Sequence, residues 1–312
     1  MGLEELLASK ILPKEEEERI KKELIEELNK DEELPSLLKS LGGDEKAFER
    51  SLSVLARYET DKKVCCGCTG FDKCQKENGR KGLKRKLVYM PYEQAYEDLL
   101  YPCPYFKKIQ DTLSDFVYAD VNPLNSYQIS QELKKSLNKS VLSSVKTSFS
   151  AVADQVFKIL TAFKEGKETK GLYIYGPNNN PYFLLLGMAY FFARNGFKVS
   201  LVDAKKTLEM ANSKDEQMKK DTLADLAKAQ KADVCFVFNL GGEIAPLYFA
   251  SNVLLPFLTE RNKKGNLTFI TSMLSFNELI AYYFKDETRR KSLGKLLSQL
   301  VEEASIVEPS RF

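Results

Sequence analysis

Residues 171–193 read Gly-Leu-Tyr-Ile-Tyr-Gly-Pro-Asn-Asn-Asn-Pro-Tyr-Phe-Leu-Leu-Leu-Gly-Met-Ala-Tyr-Phe-Phe-Ala. A short β-rich apolar run, a Gly-Pro-Asn turn and a longer apolar run predict a strand, a tight turn and a buried helix. A phosphate-binding loop is built on that same scaffold. Such a loop needs glycines that let backbone N–H groups approach, a Lys for the β- and γ-phosphates, and a Ser or Thr hydroxyl for Mg²⁺. Between Gly171 and Ala193 there is no Lys, Arg, Ser or Thr. The scaffold is present and its chemistry is not.

The pattern around this segment alternates. Strand 172–175 leads to helix 182–194, strand 197–202, a polar helix 215–230 and strand 234–239. Helix 246–261, strand 267–272, helices 276–284 and 289–303 and a short strand 305–308 follow. Such alternation predicts a parallel sheet with helices on both faces. The 312 residues allow about two domains at the usual ~150 residues each.

The N-terminal part is helical by pattern. Pro13 with the four glutamates after it opens a helix whose Ile20, Leu24, Ile25 and Leu28 share one face. A second helix starts near Pro35 and ends at Gly42-Gly43. Asp44 is the expected N-cap of a third, with Phe48, Leu52, Leu55 and Tyr58 on one side. These stripes are expected to pack on one another.

Five of the six cysteines then crowd together: Cys65, Cys66, Cys68, Cys74 and Cys103. Cys65-x2-Cys68 is the knuckle spacing that lets two thiolates hold one ion, at Zn–S distances of ~2.3 Å. Cys74 and Cys103 complete a four-thiolate set, with Cys66 a poorer-spaced competitor of Cys65. In a cell-interior protein this clustering points to zinc rather than to disulfides, and free buried cysteines are the alternative. The chain contains no histidine, which excludes His triads, His general bases and His metal ligands. Four thiolates without an open position favour a structural site.

Charge is unevenly spread. Residues 1–60 carry a net −6 and residues 61–110 a net +5, against +3 for the whole chain. Lys73, Lys76, Arg80, Lys81, Lys84, Arg85 and Lys86 face a single acid, Glu77. Lys84, Arg85 and Lys86 are therefore candidate contacts to phosphates or to an acidic partner. A merely solvated basic loop is the competing reading. The longest apolar run, Phe183–Ala193, is far shorter than the ~18–20 residues that span a bilayer. The N-terminus has neither a signal-peptide pattern nor the Ser/Thr expected after a myristoylated Gly, because Leu6 stands there. A cytoplasmic location without membrane partners is the simplest expectation.

The order of these parts, with Cys65, Cys68, Cys74 and Cys103-Pro104 ahead of a linker and Gly171–Pro177, resembles the DnaI-type helicase loaders of the AAA+ family. The resemblance spans nearly the whole chain. It implies an α/β architecture with a mostly helical, zinc-binding N-terminal domain over 1–106 and a linker over 107–125. A C-terminal AAA+-like parallel-sheet P-loop fold would occupy 126–312. It also implies a primosomal role in DNA replication, with the hexameric replicative helicase as partner and single-stranded DNA as a further one.

The departures from that family are systematic. Pro181, Tyr182 and Phe183 stand where its P-loop has Gly, Lys and Ser, and Asn180 is placed to cap the helix. Phe238-Asn239 replaces the paired acids that hold Mg²⁺, leaving Glu243 nearby. Met273 replaces a sensor Asn, and Lys295 lies where a nucleotide-sensing Arg is expected. The aromatic start of the 182–194 helix is expected to pack into the nucleotide pocket. A non-catalytic adaptor is therefore expected, with zinc as its cofactor, ATP and Mg²⁺ unfavoured, and no catalytic residues. A divergent ATPase that retains nucleotide binding is the alternative.

Overall fold

The computed structural model describes residues 13–76, 79–142, 147–176, 178–211, 213–242 and 246–306. The chain forms two compact units, residues 1–109 and 110–312.

In the first unit, α1 (Lys14–Leu28) buries Ile20, Leu24 and Leu28, the expected stripe. Helix α2 (Leu34–Leu41) stops because Gly42 turns left-handed at φ +91° and returns its N–H to Leu38. Asp44 caps α3 (Glu45–Arg50) by accepting the Ala47 N–H at 2.8 Å. The third predicted helix is broken, since α4 (Leu52–Cys65) starts anew after Ser51. The Ser51 hydroxyl accepts the Tyr96 N–H at 2.6 Å and so ties the break to a hairpin that the sequence pattern had not shown. That hairpin is β1 (Leu83–Met90) antiparallel to β2 (Ala95–Pro102). Leu87 and Tyr96 join Leu28, Leu34, Leu38, Leu52 and Leu55 in the core of this unit. Helix α5 (Pro104–Leu113) runs across the boundary between the units.

The second unit begins inside the stretch expected to be a linker. Residues 107–125 hold the end of α5, all of β3 (Phe116–Ala119) and the start of α6 (Pro123–Leu142). Asp120 orders this stretch: its carboxylate accepts the Asp203 N–H at 2.9 Å and the Thr207 hydroxyl at 3.3 Å. After α7 (Ser148–Lys164) come β4 (Gly171–Tyr175), α8 (Asn180–Arg194) and β5 (Val199–Asp203). Helices α9 (Ala204–Ala211) and α10 (Glu216–Lys231) precede β6 (Val234–Leu240). A helical arm follows as α11 (Pro246–Phe249), a π turn at Ala250–Leu254 and α12 (Leu255–Lys264). The chain then forms β7 (Leu267–Ser272), α13 (Phe276–Tyr283), α14 (Glu287–Leu300) and β8 (Val301–Ser305). The last strand comes earlier than its pattern predicts, because Val301 already pairs with Gly171; residues 307–308 lie outside the described residues.

All six strands are parallel in the order β3-β5-β6-β7-β4-β8. Counted from β4 as the first strand, the order is 5-1-4-3-2 with β3 added outside, which fits an AAA+-like P-loop fold. Strands β4, β6 and β7 are buried on both faces and accordingly read as near-continuous apolar runs. One face packs Leu172, Ile174, Phe236 and Phe269 against α7 and α8, with Leu133 of α6 in the same cluster; the other packs Tyr173, Val237 and Ile270 against α9 to α14. Helix α8 is apolar all round and buried along most of its length, as such a helix must be.

Candidate functional site

Ligands of open α/β sheets bind outside the carboxyl ends of the strands, where strand order reverses. Here that place is the end of β4, which has β7 on one side and β8 on the other. A glycine is required at position 176 because a Cβ there would lie 2.2 Å from the Ile306 carbonyl oxygen. Its presence follows from packing and implies nothing about phosphate. Pro181 sits in the first turn of α8, as expected. The side chain that occupies a first-turn donor is Asn178, whose Oδ1 accepts the Asn180 N–H at 3.0 Å; Asn180 itself is wholly buried. The Tyr182 ring stands edge-on to Phe238 at 5.0 Å and to Phe183 at 5.5 Å. Pro177 lies outside the described residues.

The end of β6 is equally altered. Asn239 has φ +58°, a left-handed conformation that Asn tolerates better than most residues. It turns the strand where the β6–β7 register shifts. Its N–H donates to Thr271 Oγ1 at 3.1 Å and its side-chain amide to Asp203 Oδ2 at 2.8 Å. The Ser272 hydroxyl donates to the Leu240 carbonyl at 2.7 Å and accepts the Leu274 N–H at 3.0 Å. The Thr271 and Ser272 hydroxyls at this strand end are therefore engaged by backbone. Met273 and Lys295 are exposed, and Glu243 lies outside the described residues.

These strand ends enclose a cavity of about 360 Å³ lined by Asn178, Asn179, Tyr182, Asn239, Thr271 and Met273 among others, every one of them uncharged. Tyr182 lines this space without filling it. The Asp203 carboxylate accepts from the Asn239 amide and so sets a negative charge beside the lining. Burial, and then the charge of Asp203, push the Tyr182 hydroxyl above its usual pKa. Among the described residues, the lining offers no cationic side chain. Sequence alone had not revealed Asp203 as the partner of Asn239, because the pairing crosses from one strand end to the next. The sequence pattern placed the capping side chain at Asn180; it is instead Asn178 that makes an Asx contact in this turn.

In the first unit Cys103 is buried, Cys66 exposed, and Cys65, Cys68 and Cys74 are intermediate. Their segments meet: the Tyr105 hydroxyl donates to the Cys68 carbonyl at 3.2 Å, the Cys103 N–H donates to Gly82 at 2.7 Å, and Phe71 stacks on Phe106 at 5.1 Å. The thiols make local contacts, Cys68 to the Gly70 carbonyl and Cys103 to the Phe106 N–H. The donor chemistry fits a thiolate-held ion. Among the described residues, however, no three His, Cys, Asp or Glu side chains converge as a metal site.

Of the three basic contact candidates, Arg85 is committed to an ion pair with Asp98, which also holds Arg57 at 3.3 Å. Lys76 is buried against Asp61 at 2.5 Å. Strand alternation puts Lys84 and Lys86 on the opposite face from Arg85, with Lys86 exposed. The basic run is therefore not uniformly available: part of it holds the hairpin to α4. Among the described residues no helix is long and apolar enough to cross a membrane.

No protein-family model matches the chain, and no curated protein matches it. Among solved structures, the chain is similar to one described as the crystal structure of the DnaI, at 21% identity and a TM-score of 0.43, over 51% of this chain and 83% of that one. It is also similar to a DNA replication initiation factor at 11% identity and a TM-score of 0.40, over 49% of this chain and 45% of that one.

Proposed function

We propose that this chain is a DnaI-like helicase-loader protein of DNA replication that works as an adaptor without ATP turnover. The first unit binds the hexameric replicative helicase, and the second is a P-loop scaffold with its nucleotide chemistry removed. The observation that carries this reading is the site at the end of β4. In a sheet of order 5-1-4-3-2, Pro181, Tyr182 and Phe183 open the helix after β4 and Asn239 ends β6, and among the described residues the cavity there has no charged lining.

Cys65, Cys68, Cys74 and Cys103 are proposed to hold one zinc ion as a structural brace of the first unit. The contacts between their segments support this, and the ion would draw the thiolates together. Single-stranded DNA is a further proposed ligand of the assembled complex. The open volume at the end of β4 favours one competing reading, a divergent site that still takes nucleotide. Co-sedimentation of the full chain with its cognate replicative helicase tests the adaptor reading. A stable complex without nucleotide is expected, and failure to associate with or without ATP contradicts it.

A further inference from the structure

Among the described residues, the hairpin of the first unit has an edge without a partner strand, since its sheet consists of β1 and β2. Parity decides which backbone groups face outward. In an antiparallel pair, residues alternate between those whose N–H and C=O point at the partner and those whose groups point away. The Arg85 N–H leaves the ladder and donates to Asp61 Oδ2 at 3.0 Å. Arg85 and its register partner Leu100 are therefore outward-facing residues. Tyr96, four residues before Leu100, agrees: its N–H leaves the ladder for Ser51. Asp98 lies between them and shares their orientation. Among the described residues, no hydrogen bond meets the N–H of Asp98 or of Leu100.

The same stretch is apolar at its surface. Leu99, Leu100 and Tyr101 remain 51%, 48% and 40% exposed. Folded proteins protect such edges with lysines, prolines, bulges or a covering loop. Here the β1–β2 register is unbroken, and the proline of β2 comes only at its last residue, Pro102.

Charge defines what would lie there. Lys84 and Lys86 are the cross-strand partners of Tyr101 and Leu99 and share their face. The Asp98 carboxylate is held by Arg57 and Arg85, so its charge is compensated. Exposed Glu97 marks the opposite, negative end of the strand. We propose that the outer edge of β2, residues 98–101, takes an extended peptide segment of a partner protein by strand addition. Main-chain hydrogen bonds would supply affinity, and alternate side chains would supply specificity. The incoming strand sets apolar residues beside Leu99 and Tyr101; Lys84 and Lys86 lie one strand further in on the same face, so the partner surface that continues over this face is acidic. The proposal rests on the adaptor reading, in that its partner is the replicative helicase.

The test uses the full chain, the cognate helicase hexamer and Leu100→Pro. This substitution removes an outward N–H but no donor to β1, and proline is tolerated on edge strands. Helicase affinity should fall at least about tenfold, a loss of about 1.4 kcal/mol, while the circular dichroism spectrum stays unchanged. In the parent chain, helicase should slow amide exchange at Asp98 and Leu100. Should Leu100→Pro fail to fold, that exchange measurement and a Leu99→Glu/Tyr101→Glu variant, expected to bind at least as weakly, decide the matter. Undiminished binding by these variants without added protection overturns the edge and leaves the helicase reading intact. Absence of binding by the parent chain overturns both. A concentration-dependent dimer of the chain alone, abolished by Leu100→Pro, makes a second copy the occupant and overturns the assigned partner.

Discussion

The side-chain amide of Asn239 donates to the Asp203 carboxylate at 2.8 Å, closing the end of β6 onto the end of β5. A metal-binding site would need a carboxylate at position 239, and here an amide is required instead, because its neighbour is already an anion. Asn239→Asp should therefore destabilise the protein, by about 1–3 kcal/mol at neutral pH. One carboxyl of the new pair would have a raised pKa. The loss should thus shrink as pH falls and the pair takes up a proton. Urea unfolding at pH 7 and pH 4.5 measures this, and equal losses at both values would contradict it.

Arg261 is wholly buried, and among the described residues no carboxylate forms an ion pair with it. It donates to the Ala229 and Ala232 carbonyls at 3.1 and 2.8 Å and to Thr268 Oγ1 at 2.9 Å. It thereby satisfies the carbonyls at the C-terminal end of α10, where a cation is favoured by the helix dipole. Arg261→Met keeps the length and orphans those acceptors, which should cost on the order of 3 kcal/mol. Arg261→Lys should recover only part, since an ammonium lacks the planar fork. Chemical unfolding of the three proteins orders them.

Glu59 and Asp31 form a hydrogen-bonded carboxyl pair in the first unit. Burial first, and then the bond and charge of Asp31, push the Glu59 carboxyl up to about 7. The Lys62 ammonium holds Asp31 well below the usual carboxylate range. Lys62 bonds Asp31 at 2.6 Å and Glu33 at 2.9 Å, while Lys63 and Tyr58 complete the surroundings. A carboxyl whose pKa is raised by folding stabilises fully below its unfolded value, near 4.5, and that contribution is lost as pH rises through about 7. The unfolding midpoint of the first unit should therefore decline from pH 5 to pH 7.5. Glu59→Gln should flatten this decline, and an unchanged slope would contradict the pairing.

Zinc provides a further prediction. If Cys65, Cys68, Cys74 and Cys103 share one ion, the purified protein should contain about one zinc per chain, and Cys103→Ser should lose it and loosen the first unit. Cys66→Ser should retain it. Stoichiometric zinc in Cys103→Ser, by elemental analysis, would remove Cys103 from the ligand set.

The second unit was legible because buried parallel strands are continuous apolar runs: Val234–Phe238 and Leu267–Thr271 admit little else. The helix starts at Asp44 and Pro181 were legible through their local chemistry. Strands β1 and β3 were not. In β1, Lys84, Arg85 and Lys86 hide the period-2 signal, since Arg85 is buried by an ion pair with a residue thirteen positions away. In β3 the ordering group is Asp120, whose partners Asp203 and Thr207 lie more than eighty residues on. For the site, the lost Lys, Ser and acids could be read directly; the anion left beside the cavity could not, because Asp203 meets Asn239 only in the folded sheet.

The central claim is that the end of β4 no longer takes a nucleotide triphosphate. Binding Mg²⁺-ATP in the usual way needs convergent donors, a Lys, and a metal held by carboxylate and hydroxyl. Tyr182, Phe183, Phe238 and Asn239 occupy those positions, Pro181 removes a donor, and Asp203 adds an opposing charge. Isothermal titration calorimetry of the full chain with ATP, with and without Mg²⁺, is the most direct measurement. No saturable binding below millimolar concentrations is expected. Micromolar, Mg²⁺-dependent binding would contradict the account and establish a divergent ATPase in its place.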